Sequence, residues 1–322
     1  MGTVEVIKGG LLTTVQDLGR YGHQASGMPV AGAMDTFSLQ AANLLVGNNP
    51  GDGALEITLA GPRLRFLSPA DIAITGADLS PTLDGQPLPM WVNCPVERGS
   101  ILTFGPPCSG CRSYLAVSGG WDVEPVLGSR STYLRGQLGG FQGRALKEGD
   151  QLLFHPGKRI DQLGTRRLRP DNIPVYSHEV TVRAILGPQE HFFSKDAIDT
   201  FFSKPYRVGA LSDRMGYRLE GPRLNRQTDK EMISDATALG AVQVPPDGQP
   251  IVLMADRQTT GGYPKIATVI TADIPFLAQA KMGDTVHFVP CDIQQAQSFL
   301  RRQRDILRNG IMNGSCPPLE VY

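Results

Sequence analysis

The sequence predicts a mainly β fold divided between two domains, and three observations support this prediction. Short runs of β-forming residues, each bounded by Gly, Pro, Asn or Asp, recur from one end of the chain to the other. Closely spaced strands with turn residues between them are typical of barrels and sandwiches. Only three segments show a helical pattern, and a length of 322 residues favours two domains over one or three.

The predicted strands are spread over both halves of the chain. Those of the first half are residues 4–7, 54–59, 63–66, 71–75, 100–104, 113–117 and 151–154. Those of the second half are residues 180–186, 251–255, 266–271 and 285–289. Because each run is short and ends in turn-forming residues, we expect sheets of many short strands.

Three segments are predicted to be helices, each beginning with an aspartate that can cap the helix N-terminus. They are residues 35–46, which end before Gly47, and the shorter segment 273–280. The third, residues 292–308, begins with Asp292 and Gln295 in the spacing of a capping box and ends at Asn309 and Gly310. It places a long helix near the C-terminus.

The boundary between the two domains is predicted from composition and from repeated strings. Gly-Pro-Arg-Leu begins at residues 61 and 221, and Asp-Gly-Gln-Pro begins at residues 84 and 247, so similar offsets hint at a duplicated unit. Residues 158–178 are polar, rich in arginine and interrupted by two prolines, which is typical of a linker. The predicted domains are therefore 1–165 and 175–291, followed by a C-terminal helix and tail over 292–322.

Charge and cysteine content exclude several classes of function. The 31 Lys+Arg residues balance the 31 Asp+Glu residues, so no long-range field attracts nucleic acid or an anionic membrane. The N-terminus lacks the pattern of a secretory signal, and no apolar stretch approaches the ~18 residues of a membrane span. Five scattered cysteines do not form a disulfide framework. We therefore expect a cytoplasmic protein. We also expect no metal site, because the histidines are isolated and the pair Cys108 and Cys111 has no further ligands at a suitable spacing.

The segments with chemical potential are loops rich in hydrogen-bond donors, since no phosphate-binding loop or zinc motif is present. The densest loop follows the strand 251–255. Its candidate residues are Gln258, Thr259, Thr260, Gly261, Gly262, Tyr263 and Lys265. Two adjacent glycines can point successive N–H groups in one direction, which forms a nest for a carboxylate or phosphate. A tight hairpin explains the glycines but not the accompanying polar side chains.

Other loops carry similar donors, each with a structural alternative. Residues 212–218 contain Arg214, Tyr217 and Arg218, whose guanidinium groups can bind planar anions, although a salt-bridged bulge has the same composition. Two further segments are weaker candidates: residues 128–133 and residues 13–20, which include Asp17 and Arg20. For both, a functional and a purely structural role are equally compatible with the sequence.

Together, these strings resemble the allophanate hydrolase subunit 2 family, which is related to biotin-dependent carboxyltransferases. The resemblance is carried in order by TTVQDLGRYG from residue 13, GAMD from 32, ANLLVGN from 42, ALEI from 54, YLAVSGG from 114, DRMGYRL from 213 and residues 248–265. It implies two tandem cyclophilin-like β-barrel domains with a few short helices. It also implies a partner subunit of similar fold.

The family includes the C-type subunit of 5-oxoprolinase, so the resemblance implies one component of an ATP-dependent enzyme that hydrolyses 5-oxo-L-proline to L-glutamate. The expected partners are the B-type component of that enzyme, which has a similar fold, and its A-type component, and ATP is used by the complex. Three residues are expected to be catalytic: Arg218, Lys265 and Thr260. Nine are expected to bind substrate: Arg214, Tyr217, Gln258, Thr259, Gly261, Gly262, Tyr263, Asp17 and Arg20. We expect the general base on a partner chain.

Two alternatives follow from other members of the same family. One is a carboxyltransferase component related to urea carboxylase, in which biotin arrives on another protein, because the chain lacks the Ala-Met-Lys-Met string of a biotin carrier. The other is a non-catalytic regulator that binds an inhibitor of a histidine kinase.

Overall fold

The computed structural model describes residues 1–227 and 232–313. The chain forms two compact units, and the chain passes between them more than once. The first unit contains Met1–Arg20, Asp35–Val175 and the described residues from Arg304 onward, and the second contains Tyr21–Met34 and Tyr176–Gln303. The sequence-predicted ranges 1–165, 175–291 and 292–322 remain a prediction about separate folding domains.

The first unit is built mainly from two antiparallel sheets. Its strands before the second unit are β1 (Gly2–Lys8), β2 (Leu12–Gln16), β3 (Ala54–Thr58), β4 (Arg63–Phe66), β5 (Ala70–Asp78), β6 (Thr82–Leu83), β7 (Gln86–Pro87), β8 (Asn93–Val96), β9 (Ile101–Thr103), β10 (Ser109–Val117), β11 (Gln151–Phe154) and β12 (Arg166–Leu168). One sheet has the order β11-β1-β4-β9-β6-β7 and the other the order β2-β3-β10-β5-β8.

The second unit is a closed barrel. Its strands are β13 (Glu179–Leu186), β14 (Tyr206–Val208), β15 (Gly216–Glu220), β16 (Asp235–Ala236), β17 (Ala241–Gln243), β18 (Ile251–Leu253), β19 (Thr260–Gly261), β20 (Lys265–Val269) and β21 (Thr285–Pro290). The barrel order is β13-β20-β17-β18-β15-β14-β21, while β16 and β19 form a separate two-stranded ladder. A last strand, β22 (Ile311–Asn313), pairs with β12 of the first unit.

The described residues contain few helices. These helices are α1 (Thr36–Leu45), α2 (Ile160–Leu163), α3 (Lys195–Ser203), α4 (Ile274–Ala278) and α5 (Ile293–Asn309), and α5 is the longest of them. No helix among the described residues is long and apolar enough to cross a membrane. The predicted mainly β fold with a C-terminal helix is therefore confirmed, and each of the eleven predicted strands coincides with an observed one.

Alternation of apolar and polar residues explains the position of the strands in the core. In β1, Val4 and Val6 are fully buried while Glu5 between them is half-buried, as expected where one face of a strand packs inward. The core of the first unit takes apolar side chains from strands of both large sheets. The core of the barrel contains Val182, Val242, Val252 and Phe288 together with Phe201 of α3.

Two of the three predicted helix caps are confirmed, and one is wrong. Asp35 accepts a hydrogen bond from the Ser38 backbone N–H at 2.9 Å, and Asp292 and Gln295 form the predicted capping box. Asp273 makes no side-chain cap of α4. Its carboxylate instead accepts from the backbone N–H and the guanidinium of Arg183. A charged partner therefore takes the place of the expected capping contact.

Candidate functional site

The sequence-predicted site residues lie in both units. Asp17 and Arg20 belong to the first unit, and the other ten belong to the second unit. Those ten occupy the loop that contains Arg214, the start of β15, and the segment from Gln258 to Lys265.

Strand register brings two predicted catalytic residues onto one face of the barrel. Arg218 pairs with Ile251, Ile251 with Gln243, and Gln243 with Lys265, across four neighbouring strands. Residues in register share a face of a sheet, and we call these four residues the outer row. The adjacent registers hold the core residues Val252 and Val242, so the outer row faces away from the barrel interior. Three strand spacings place Arg218 and Lys265 roughly 14 Å apart.

The ammonium group of Lys265 is buried and paired with an acid that sequence reasoning missed. Its Nζ lies 3.0 Å from Oδ2 of Asp235, and the two side chains are 4% and 55% exposed. The hydrogen bond from Lys265 holds the pKa of the Asp235 carboxyl below its usual value. Asp235 stands in the short ladder of β16 and β19, opposite Gly261. A buried cation is thus covered by a carboxylate that itself faces solvent.

Gly261 and Gly262 have a different role from the predicted nest. Neither glycine has a positive φ, and Gly261 lies in strand β19, so the pair does not form an anion-binding turn. A Cβ on Gly261 would lie 2.5 Å from Nε2 of Gln243. The absence of a side chain at this position leaves space for the carboxamide of Gln243.

Three glutamines surround Lys265, and we call Gln189, Gln243 and Gln258 the glutamine cluster. Gln243 is 2% exposed, and its Oε1 accepts from Nε2 of Gln258 at 3.4 Å. Oε1 of Gln189 accepts from the backbone N–H of Lys265 at 3.3 Å. Buried polar groups need hydrogen-bond partners, and carboxamides can offer both donors and acceptors to a ligand. Only Gln258 of this cluster was predicted; an isolated glutamine in the apolar strand around Gln243 is the available sequence signal.

Arg214 and Tyr217 are engaged with partners inside the second unit. Nε and Nη2 of Arg214 each donate at 3.0 Å to the carboxylate of Asp256, and Nη2 also donates at 2.6 Å to the carbonyl of Gly32. Both members of this bidentate pair are almost fully buried. The Tyr217 hydroxyl donates to the carbonyl of Ala280 at 3.0 Å. Both side chains therefore hold segments of the barrel together.

The remaining polar side chains of the loop lie toward solvent. Arg218, Thr260, Gly262 and Tyr263 are exposed, whereas Thr259 is half-buried and its carbonyl accepts from the Thr237 N–H at 3.0 Å. Arg218 in the outer row and Thr260 in β19 are thus both accessible to a ligand.

In the first unit, Asp17 and Arg20 join two of the sequence-predicted loops. The carboxylate of Asp17 accepts from the hydroxyls of Ser129 and Ser131 at 2.7 and 2.5 Å, and from the Arg130 N–H at 2.5 Å. Arg20 is fully buried and donates to the Ser131 carbonyl. The strings 13–20 and 128–133 therefore build one hydrogen-bonded interior.

Other strings of the family resemblance also form buried polar contacts of the first unit. The Tyr114 hydroxyl donates to the Glu56 carboxylate at 2.7 Å and accepts from the backbone N–H of Asp35 at 2.8 Å. Burial raises the pKa of Tyr114 well above its usual value. Asn48 accepts from the Gly119 N–H at 2.9 Å and donates to the Val117 carbonyl at 2.8 Å. These contacts join separate segments of the first unit.

A cavity of about 390 Å³ lies in the first unit, and no sequence-predicted site residue lines it. Its lining includes Asp71, Ser118, Phe154 and Arg159. The Asp71 side chain is fully buried, and burial raises its pKa above the usual value although Nε of Arg159 lies 3.6 Å away. Neither this cavity nor any other part of the described chain contains a group of three or more His, Cys, Asp or Glu side chains that could hold a metal ion.

Comparison with known proteins gives consistent relationships over most of the chain. A family described as "Carboxyltransferase domain, subdomain A and B" matches residues 26–290. The chain is 44% identical to the C-type subunit of 5-oxoprolinase from Escherichia coli over 91% of this chain and 93% of that protein. It is 39% identical to the C-type subunit of 5-oxoprolinase from Haemophilus influenzae, over 91% and 92% of the two chains.

The crystal structure of the K. lactis urea amidolyase has the same fold over 99% of this chain, with a TM-score of 0.91 and 32% identity. The chain corresponds to 20% of that much longer protein. The resemblance drawn from the sequence strings is therefore confirmed. The chain belongs to the carboxyltransferase domain family that comprises subdomains A and B and is related to the C-type subunit of 5-oxoprolinase.

Proposed function

We propose that this chain is one component of an ATP-dependent 5-oxoprolinase, which hydrolyses 5-oxo-L-proline to L-glutamate. The observation that carries the proposal is the 44% identity to the C-type subunit of the E. coli enzyme, over almost the whole length of both chains. The proposed partners are the B-type and A-type components of such an enzyme, and the proposed compartment is the cytoplasm.

The chemistry of the substrate explains why ATP and several chains are involved. An unstrained five-membered lactam closes favourably, so its hydrolysis needs coupling to ATP. Phosphorylation of the lactam oxygen would place negative charge beside a substrate that already carries a carboxylate. Such a reaction needs cations and hydrogen-bond donors positioned where negative charge develops. The nucleotide is assigned to a partner chain, since this sequence contains no phosphate-binding loop. The general base is assigned to a partner chain as well, because the predicted site residues of the second unit are cations, carboxamides, hydroxyls and glycines.

Within this chain, the outer row and the glutamine cluster are the proposed place of contact with the substrate. Lys265 and Arg218 supply the cations and Thr260 supplies a hydroxyl donor, while Gln258 offers a carboxamide to the lactam amide. Asp235 covers Lys265 at 3.0 Å, so an incoming carboxylate has to replace Asp235 at the ammonium group. Because Asp235 is more than half exposed, water can solvate it once it is displaced.

A second candidate function is that of a carboxyltransferase component, in which a carboxyl group arrives on biotin carried by another protein. The observation that favours it is the TM-score of 0.91 with the K. lactis urea amidolyase. Lys281 and Met282 stand in the reverse order of the Met-Lys pair of a biotin carrier, so this chain would act on biotin without carrying it. The same anion-binding side chains would serve this reaction.

Reconstitution with the partner chains tests the proposal. The purified chain is mixed with the A-type and B-type components, and ATP hydrolysis is measured with and without 5-oxoproline. Transfer of the carboxyl group from carboxybiotin to urea is measured separately, because this transfer consumes no ATP. We expect 5-oxoproline-dependent hydrolysis only in the complete mixture. Turnover by this chain alone would contradict the division of labour, and carboxylation of urea by carboxybiotin would favour the carboxyltransferase. The absence of activity in every mixture would favour a non-catalytic regulator.

A further inference from the structure

Arg257 directly precedes Gln258 of the candidate site, and its guanidinium has few contacts. Nη1 donates at 3.3 Å to the carbonyl of Met254, three residues earlier. Nε is buried and has no hydrogen-bond acceptor, and no carboxylate of the described residues pairs with the side chain. The cation is partly buried beside Gln258 without a compensating acid.

Arg214 provides an internal comparison, because its Nε has a hydrogen-bond acceptor and the Nε of Arg257 has none. Nε and Nη2 of Arg214 form two parallel hydrogen bonds to Asp256, each 3.0 Å long. Asp256 is adjacent to Arg257 in the sequence, but its carboxylate is bound to Arg214. Among the described residues of the second unit, Arg214 and Arg183 each bind an internal carboxylate through Nε and Nη2, whereas the buried Nε atoms of Arg257 and Arg226 have no acceptor.

An unpaired guanidinium within a protein is unfavourable, because it has lost part of its hydration without gaining a counter-charge. Burial accordingly lowers the pKa of Arg257, and the phenol of Tyr21 opposes this effect. Tyr21 is 65% exposed, and Arg257 itself is half-buried. Side chains that lower stability in this way are characteristic of binding sites, where the ligand supplies the missing charge.

We propose that Arg257 is a specificity-determining residue of the candidate site and that its Nε and Nη2 bind the carboxylate of a small substrate. The planar fork matches the two oxygens of a carboxylate, and a phosphoryl group presents the same pair of oxygens. The identity of the substrate rests on the proposed function, whereas binding of an oxyanion at Arg257 does not. A carboxylate at Arg257 would lie beside the glutamine cluster, whose Gln258 follows it directly.

The test combines stability with ligand binding, because a structural arginine and a ligand-binding arginine predict opposite results. The variants are Arg257→Gln and Arg257→Lys, with Arg223→Gln as the matched control. Arg223 is an exposed arginine of the same unit, and its Nε donates to the Asp247 carbonyl at 2.9 Å. Thermal midpoints are measured for the isolated chain and for the reconstituted complex, with L-5-oxoproline, with inorganic phosphate and without either.

We expect Arg257→Gln to melt at the wild-type temperature or above it without ligand, and to lose the increase in midpoint caused by L-5-oxoproline. In the reconstituted complex, KM for 5-oxoproline is expected to rise roughly ten- to a hundredfold, with kcat changed less than about threefold. Arg257→Lys keeps the charge but not the fork, so we expect intermediate binding. Arg223→Gln should behave as wild type throughout.

Three outcomes would overturn the inference, and a fourth would separate it from the proposed function. A marked fall in the midpoint of Arg257→Gln would make the residue structural, and an unchanged ligand-induced shift and KM would place the carboxylate elsewhere. A shift caused only by phosphate would assign the fork to a phosphoryl group. Loss of 5-oxoproline-dependent ATP hydrolysis in every wild-type mixture, with an Arg257-dependent shift retained, would contradict the proposed function while supporting oxyanion binding at Arg257.

Discussion

Lys265 and Arg218 stand at the two ends of the outer row. We expect substitutions of either residue to lower activity more than they lower stability. Arg218→Ala removes an exposed side chain, so we expect the free energy of unfolding to change by less than about 0.5 kcal/mol. Lys265→Met keeps most of the buried volume, and the partner left behind, Asp235, is exposed to water. Each variant is expected to lower 5-oxoproline-dependent ATP hydrolysis of the reconstituted complex roughly ten- to a hundredfold.

Thermal melting and steady-state assays of the same preparations check this expectation. Thr268→Val on β20, a half-buried site outside the outer row, serves as the control for general damage to the strand. A sharp fall in the melting temperature of Arg218→Ala would show that the residue is structural. Wild-type activity in both variants would place the reaction away from the outer row.

Asp71 predicts a pH dependence of opposite sign to that of a salt-bridged acid. Its folded-state pKa is raised by burial, so the protonated form is favoured in the folded state. The stability it contributes is present below the unfolded-state pKa and is lost as pH rises through the folded-state pKa. Asp71→Asn removes the ionisation and keeps an acceptor for the Ile160 N–H. Its melting temperature relative to wild type should therefore rise between about pH 4 and pH 7.

Melting curves over that pH range provide the measurement, with Glu124→Gln as the control. Glu124 is an exposed acid of the first unit that does not contribute to the pKa shift of Asp71, and we expect its variant to track wild type at every pH. An advantage of Asp71→Asn that shrinks as pH rises would contradict the argument.

At the scale of single residues, the sequence predicts which residue types matter but not their long-range partners. Lys265 and Arg218 stand out in donor-rich loops, whereas Asp235 is 30 residues from Lys265 and reaches it through the β16–β19 ladder. The pairing of Arg214 with Asp256 spans 42 residues. Nothing local distinguishes Arg214 from Arg257, because their different roles depend on which of them Asp256 contacts.

At the scale of elements, local signals predict strands and helix starts well. The caps at Asp35 and Asp292 are local contacts, and they are confirmed, whereas the cap at Asp273 fails because Arg183 comes from another strand, 90 residues away. Helix α3 was not predicted, although Ser194 caps it by accepting from the Ala197 N–H. Its apolar side includes Ala197 and Phe201, so a wider search for caps would have found it.

The turn after β10 offers a matched pair of glycines with positive φ. A Cβ on Gly119 would lie 2.1 Å from the His155 carbonyl oxygen, whereas a Cβ on Gly120 would have nothing within 4 Å. Gly120→Ala is expected to cost about 1–2 kcal/mol of unfolding free energy from backbone conformation alone. Gly119→Ala adds a clash with backbone atoms and should cost more. Denaturant unfolding of both variants tests the order, and equal costs would contradict it.

At the scale of the whole molecule, helix α5 contributes to both units, and this predicts separable effects of two substitutions. Leu307 is buried with Trp91 and Leu168 of the first unit. Phe299 lies under the guanidinium of Arg183 in the second unit, with 3.4 Å between the guanidinium carbon and the ring centroid. We expect Leu307→Ala to cost about 2 kcal/mol or more, because it creates a cavity, and to release amides of the first unit.

Hydrogen exchange resolved by peptide measures this separation, with Phe299→Ala as the counterpart on the same helix. Phe299→Ala should increase exchange near β13 and leave the amides around β12 protected. If both substitutions increased exchange equally in both units, the assignment of the two halves of α5 to different units would be wrong.

Because the two units are interleaved in the sequence, the ribosome finishes synthesis of the first unit only after it has made most of the second unit. About 130 residues separate Val175 from Arg304, and both belong to the first unit. At roughly 5–20 residues per second, synthesis of the intervening chain takes on the order of 6–25 s. During that interval β12 lacks its partner β22, and Phe37, Trp91 and Leu168 lack the cover of Leu307. The newly made chain therefore presents an apolar surface to chaperones until α5 and β22 emerge.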